Sequence, residues 1–321
     1  MVEYKSLFAD DINAMLQFRV SLGFQKDTYE YNLRLLDRYC VFNCPDAAEL
    51  TKELVTSWLK EERELRPGRL YDRAIHIRYF ARYLNSVGKP AYVLPSGFYK
   101  KKSTFTPYIF TDDELKRLFS AADELPFRKQ RPLQNKIFPV MFRLIYTCGL
   151  RPNEGRELLR KDVNLDTGEL LIRRNKDHKE RSIVMSDDML CMCREYEKQR
   201  LLFMPDSPAF FPNPKGTVYT NEMLLHIYDK CWGAANPDTN ADELQRVRPY
   251  DLRHRFASAV LNLWLDAGED IYAKLPFLRA YMGHENLEST LYYVHLLPEN
   301  LAKSAGVDWS LLESVLPEVE A

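Results

Sequence analysis

Three stretches of the sequence carry side chains whose types suit chemistry. They are "TCGLRPNEGREL" with Arg151 and Glu154, "RPYDLRHRFAS" with Arg253 and His254, and "YMGHENLESTLYYVH" with His284 and two adjacent tyrosines. A guanidinium presents a planar fork of donors that grips two oxygens of a phosphate and stays charged at any working pH. A phenol, with a pKa of about 10, attacks well only as its proton is withdrawn. Each stretch also has a plain structural reading, since an arginine at a helix start is common and a Gly-His commoner. On a helical wheel through "NLESTLYYVH", Leu287, Leu291 and Val294 form the inward stripe, and Asn286 and Thr290 share the flank of Tyr293. Tyr292 and Tyr293 then fall on opposite flanks, roughly 100° apart. Only one of them can enter a site, and the wheel does not say which.

In chain order, "GLRPNE", "NKDHKER", "YDLRH" and "GHENLESTLYYVH" resemble the motif series of the tyrosine recombinase, or phage integrase, family. That series is an arginine in a G-L-R-x-x-E turn, a hairpin lysine, H-x-L-R-H, and G-H followed by a nucleophilic tyrosine. The resemblance runs from Thr111 to His295, and the residues before it match only in general character. It implies a metal-independent, cofactor-free DNA strand transferase acting through a 3′-phosphotyrosyl intermediate, and a homotetramer assembled on double-stranded DNA. The family nucleophile stands nine positions after the G-H histidine and two before another histidine, which selects Tyr293, between His284 and His295. Tyr292 becomes its packing neighbour.

The other roles follow from the same resemblance. Phosphoryl transfer places extra negative charge on the non-bridging oxygens, which Arg151 and Arg253 would meet. Losing one preorganised donor of this kind costs on the order of 3 kcal/mol. Lys176 matches the lysine that protonates the leaving 5′ oxygen, with Lys179 as the alternative. His284 matches the histidine that donates to the scissile phosphate. His254 and His295 match supporting positions. Glu154 would orient the guanidinium beside it, or complement the helix dipole as a first-turn acid. The sequence departs from the family at Tyr250, where a histidine is the rule. A phenol keeps the hydrogen-bond donor but relays a proton poorly near neutrality. Either Tyr250 is tolerated and the nucleophile's proton goes elsewhere, or the protein is a catalytically weakened relative that serves as a DNA-binding accessory. The retention of both arginines, the lysine, His284 and the tyrosine favours activity.

The elements that must position these residues read as mainly α, of the α+β kind with a small antiparallel sheet. "DDINAMLQFRVSLG", "DTYEYNLRLLDRYCVFN", "DAAELTKELVTSWLKEERELRPG" and "RLYDRAIHIRYFARYLNSVGKP" are four helix candidates, the third with an Asp cap and an end at Pro67-Gly68. In the fourth, Leu70, Ala74, Ile77, Ala81 and Leu84 make one apolar stripe. Arg69, Arg73, Arg78 and Arg82 flank it, as a solvated face or as a phosphate-facing row. Residues 1–95 form this helical bundle, a core-binding domain if the resemblance holds, and residues 96–107 form a linker with Lys100, Lys101 and Lys102. Residues 108–300 form the catalytic domain, with a hairpin of "ELLIRR" and "RSIVMS", and 301–321 an amphipathic tail through Trp309, Leu312 and Leu316. The tail folds back on its own domain or docks on a neighbouring protomer.

The totals fit this reading without demanding it. With 45 Lys+Arg against 46 Asp+Glu, the formal net charge of −1 gives no overall pull toward nucleic acid, so any attraction must come from local distribution. A hydrophobic share of 45 % and a charged share of 28 % suit a chain that folds on its own cores. No apolar run approaches the roughly 20 residues that span a bilayer, and the start "MVEYKSLFADD" is unlike a signal peptide. A cytoplasmic, nucleoid-associated protein with six reduced cysteines is expected. A metal-dependent nuclease would need a His/Cys or carboxylate cluster that the sequence does not present. A type IB topoisomerase would share the nucleophile, but the short bundle-plus-linker front half favours an integrase.

Overall fold

The computed structural model describes residues 3–24, 26–61, 67–99, 107–173, 180–240 and 242–294. Lys100, Lys101, Lys102, Lys176, Lys179, His295 and the tail 301–321 therefore lie outside the described residues. The chain separates into two compact units, Met1–Phe105 and Thr106–Ala321.

The first unit packs α1 (Ala9–Ser21), α2 (Asp27–Asn43), α3 (Lys52–Glu61) and α4 (Pro67–Ser86) around Phe8, Ile12, Leu36, Trp58 and Phe80. The α4 stripe Ala74, Ile77, Ala81 and Leu84 is fully buried, as its spacing requires, with Leu70 at the margin. Two boundaries differ from expectation. Asp46 caps no helix, because the Leu50 carbonyl accepts the Tyr92 N–H at 2.7 Å and the Thr51 hydroxyl accepts from Leu54 N at 3.2 Å, delaying α3 to Lys52. Pro67 opens α4 rather than only ending α3, since a proline lacks an N–H that the first turn would leave unpaired. The four α4 arginines do not form one phosphate-facing row. Arg73 is buried, with its guanidinium 5.4 Å from the Trp58 ring centroid, and Arg78 donates to the Leu94 and Pro95 carbonyls at 2.7 and 2.8 Å. Arg69 and Arg82 remain exposed.

The second unit is built around α6 (Gln134–Thr147), whose Ile137, Phe138, Met141, Phe142, Leu144 and Ile145 are all fully buried. A helix apolar on nearly every side has to be central, and α5 (Asp112–Asp123), α8 (Asp187–Phe203) and α10 (Pro249–Asp266) pack on it. The short α7 (Pro152–Arg156) follows directly from α6. Strands β1 (Glu169–Ile172) and β2 (Arg181–Val184) pair antiparallel, with Leu170 opposite Ile183 and Ile172 opposite Arg181. Leu170 and Ile183 both point into the core. α9 (Asn221–Ala234) completes this layer. The last part of α10, with α11 (Ile271–Met282) and α12 (Glu288–Val294), encloses a separate small core of Leu261, Leu265, Leu275, Leu278, Met282 and Val294. Among the described residues, no helix is long and apolar enough to cross a membrane.

The turn from α6 into α7 depends on Gly149. Its φ of +56° is left-handed, and an added Cβ would stand 2.4 Å from the Phe256 ring. At Gly88, φ is +80° but nothing lies within 4 Å of the added atom. Gly88→Ala should then cost only the backbone term, about 1 kcal/mol, and Gly149→Ala about 3 kcal/mol because overpacking adds to it. Native-state hydrogen exchange on each unit measures both. Equal losses would contradict the close approach at Gly149.

Candidate active site

Two helix starts with the same local grammar deliver the two motif arginines. In "RPNE" and "RPYD" a proline takes the first helical position, and the acid three residues after the arginine reaches back to its backbone N–H. Glu154 accepts from Arg151 N at 2.9 Å, and Asp251 accepts from Arg248 N at 2.8 Å. The first start places Arg151 at the head of α7, and the second carries Tyr250, Arg253 and His254 along the first turns of α10.

Three guanidiniums then meet the last turn of α11. Arg181 Nε donates to the Tyr281 carbonyl at 2.9 Å, Arg253 Nη2 to that of Met282 at 2.8 Å, and Arg151 Nη2 to that of Gly283 at 2.7 Å. These carbonyls lie at the C-terminus of α11, the negative end of its dipole. Arg253 is fully buried and also donates to the Gly149 carbonyl at 2.6 Å. Glu154 sits behind the group. It accepts from Arg151 Nη1 at 2.8 Å and from both terminal nitrogens of Arg181 at 2.9 and 2.7 Å. Burial alone would raise the Glu154 carboxyl, but the hydrogen bonds and charge of Arg181, joined by Arg151, outweigh it and hold it below the usual range. Gly283 closes α11 in the left-handed conformation (φ +66°), and a Cβ there would stand 2.9 Å from Arg181 Nη1.

Arg151, Tyr250, His254, His284, Tyr292 and Tyr293 line one open cleft of about 540 Å³. Tyr293 is only 2 % exposed, whereas Tyr292 is 39 % exposed. The Tyr293 hydroxyl lies 3.1 Å from His254 Nδ1, and its ring stacks on that of His284 at a centroid distance of 5.9 Å. His284 Nδ1 is 2.8 Å from the Thr290 hydroxyl, so the other ring nitrogen, Nε2, is left for the cleft. The inward face of α12 is therefore Thr290, Tyr293 and Val294, not the stripe of Leu287, Leu291 and Val294. Leu287 lies before the helix begins and is 38 % exposed. Tyr292 correspondingly contributes cleft wall rather than core packing.

Burial sets the protonation of this cluster. It pushes the Tyr293 phenol up to about 12 against the opposing charge of Arg253. It pulls His284 down to about 3, helped by the charges of Arg253, Arg151 and Arg181. His254 falls to about 4 through burial and the charges of Arg248 and Arg253. At neutral pH the phenol is protonated and both imidazoles are uncharged.

Of the residues expected from sequence, Arg151, Glu154, Tyr250, Arg253, His254, His284 and Tyr293 come together. Lys176 and His295 lie outside the described residues, and Arg69, Arg73, Arg78 and Arg82 belong to the other unit. Sequence reasoning missed Arg181 and Thr290, and gave no role to Asp251. Arg181 was visible as the end of "NKDHKER" and the first residue of a strand, and its importance depends on the register that sets it opposite Ile172. Because the folded imidazoles exclude a proton that unfolded ones bind below their ordinary 6.5, both histidines should lower stability as pH falls from about 6.5 to about 4. Imidazole carbon-proton shifts followed by NMR should show neither His254 nor His284 titrating above pH 5. A midpoint near 6.5 for either would contradict the buried arrangement.

The sequence matches the phage integrase family over residues 109–300, more than half of the chain. A putative integrase/recombinase y4rB of Sinorhizobium fredii is 29 % identical over 304 residues, spanning 92 % of this chain and 94 % of that protein. Tyrosine recombinase XerA of Pyrococcus horikoshii is 28 % identical over 216 residues, 65 % of this chain and 64 % of that one. Among solved structures, the XerH site-specific recombinase bound to a palindromic difH substrate superposes with a TM-score of 0.64 at 19 % identity, over 89 % of this chain and 80 % of that one. The Tn1549 transposon integrase in complex with transposon right end DNA gives 0.63 at 15 % identity, over 90 % and 94 %. These structural likenesses are likenesses of fold. The mainly α second unit with its small hairpin, the four ordered motifs and the family match agree: the chain belongs to the phage integrase family, the tyrosine recombinases.

Proposed function

We propose that the chain is a site-specific DNA recombinase that cleaves and rejoins DNA through a 3′-phosphotyrosyl intermediate and moves or integrates a mobile element. The observation that carries this reading is the gathering of Arg151, Tyr250, His254, His284 and Tyr293 around one cleft, with Arg253 beneath it. The names of the similar proteins, integrase/recombinase and transposon integrase, and the DNA held in the neighbouring structures support it.

In this reading a DNA phosphate enters the cleft against Arg151, whose side chain is 21 % exposed, and His284 Nε2 donates to a non-bridging oxygen. The buried charge of Arg253 favours the extra negative charge of the pentavalent phosphorus. Tyr250 lines the same cleft and offers its hydroxyl to the phosphate. Tyr293 Oη attacks phosphorus, the P–O5′ bond breaks, and Lys176 protonates the leaving oxygen. Guanidinium groups do the work that metal ions do in other phosphoryl transferases. Residues 1–95 act as the core-binding domain and 108–300 as the catalytic domain, and each contacts duplex DNA. Four protomers assemble on two duplexes, with the tail 301–321 as a candidate linker between neighbours. Most contacts to DNA go to phosphate, so affinity falls steeply with salt.

The test uses a nicked duplex carrying a site selected from a randomised DNA pool by binding to the purified chain. Wild type and Tyr292→Phe should both accumulate a covalent protein–DNA adduct, and Tyr293→Phe none. Arg151→Ala should slow its formation on the order of 100-fold, the equivalent of about 3 kcal/mol. Binding without any adduct from wild type would favour the other reading, an accessory DNA-binding relative weakened at Tyr250.

A further inference from the structure

We propose that His254 is the group that takes the proton from Tyr293, in the place left open by a tyrosine at position 250. The proposal rests on the recombinase reading and assigns a step that reading leaves without an acceptor.

A general base must stand within hydrogen-bond reach of the proton it removes. Among the described residues, His254 Nδ1 meets this condition at 3.1 Å from the Tyr293 hydroxyl. His284 does not, because its ring lies nearly parallel to the phenol with centroids 5.9 Å apart and its Nδ1 is engaged by Thr290. Tyr250 lies within 5.0 Å of the His254 ring, but a phenol accepts a proton far less readily than an imidazole. The position after Arg253 on α10 is therefore where the sequence places an imidazole against the nucleophile.

For His254 to accept, its own proton must sit on Nε2. The carboxylate of Asp251 provides for that. It is one turn earlier on α10, 1 % exposed, and its Oδ1 is 3.9 Å from His254 Nε2, beyond a hydrogen bond but close for a charge. A carboxylate there favours the Nε2–H tautomer, which turns the Nδ1 lone pair toward Tyr293, and it favours the imidazolium that forms. Asp251 is itself fixed by the Arg248 backbone N–H at 2.8 Å. Asp251 is a positioning residue in this scheme, and His254 the catalytic one.

The Tyr293 O–H bond breaks and its proton passes to His254 Nδ1 while Oη bonds to phosphorus. The P–O5′ bond breaks, and the 5′ oxygen leaves with that electron pair and takes a proton from the Lys176 ammonium. On rejoining, the 5′ hydroxyl attacks, its proton returns to Lys176, and His254 returns its own to the departing Tyr293 oxygen. The phenol becomes far more acidic as its oxygen bonds to phosphorus, so the transfer is concerted with attack rather than complete before it.

The test separates base catalysis from support. Adduct formation on the nicked duplex is compared for wild type and His254→Ala, each with tyrosine or a ring-difluorinated tyrosine at position 293. A more acidic phenol needs less help from a base. His254→Ala should slow the reaction about 100-fold or more, and fluorination should restore at least about tenfold in that variant while changing wild type little. An unaffected His254→Ala rate, or a slow variant that fluorination leaves slow, overturns the proposal while leaving the recombinase reading intact. Wild type that forms no adduct overturns both. Independently of DNA and of the variant's folding, nitrogen NMR on the wild-type chain should find the His254 proton on Nε2. A proton on Nδ1 contradicts the assignment.

Discussion

The site hangs on the last turn of α11. Three consecutive carbonyls, of Tyr281, Met282 and Gly283, each accept from a guanidinium that comes from a different element: β2, α10 and α7. One buried carboxylate, Glu154, holds two of those guanidiniums at once. Like charges crowd here only because a helix C-terminus and a carboxylate offset them. Breaking such a buried pair by removing one partner costs on the order of 3–5 kcal/mol. The same contacts fix α11 against the main core, and α11 leads through the Gly283 turn to His284 and then to α12 with Tyr293. The guanidiniums and Tyr293 are thus positioned by one set of bonds, although the central helix α6 and Tyr293 lie in two separate hydrophobic clusters.

Burial gives that arrangement its chemical character. Removal from water holds the phenol protonated against the nearby guanidinium charge, and burial together with that charge holds the two imidazoles neutral. An anion entering the cleft would counter those positive charges, which is the change that would let an imidazole gain a proton. Tyr250 fits the proposed role, because its side chain lines the cleft while the neighbouring imidazole of His254 is already in contact with the Tyr293 hydroxyl.

Much of this was legible in the sequence because it is local. Arg151 with Glu154 is one turn of helix. The apolar stripe of α4 follows from periodicity alone, and the hairpin from two β-prone runs around a polar turn. What stayed hidden is non-local. The contact of Arg181 with Glu154 depends on strand register and on where α11 ends. The buried face of α12 departed from the hydrophobic wheel because Thr290 and Tyr293 turn inward to meet His284 and His254, while Leu287 precedes the helix. Arg73 and Arg78 looked like surface charge until Trp58 and the carbonyls of Leu94 and Pro95 were seen beside them. A spacing rule orders side chains around one helix, and it cannot say which distant backbone they meet.

The central claim, that Tyr293 becomes joined to the 3′ phosphate of a cut strand, is tested most directly by mass mapping of the trapped adduct. After digestion by nuclease and protease, the account predicts a residual nucleotide linked through its 3′ phosphate to Tyr293. A nucleotide on Tyr292, or one attached through a 5′ phosphate, would contradict it.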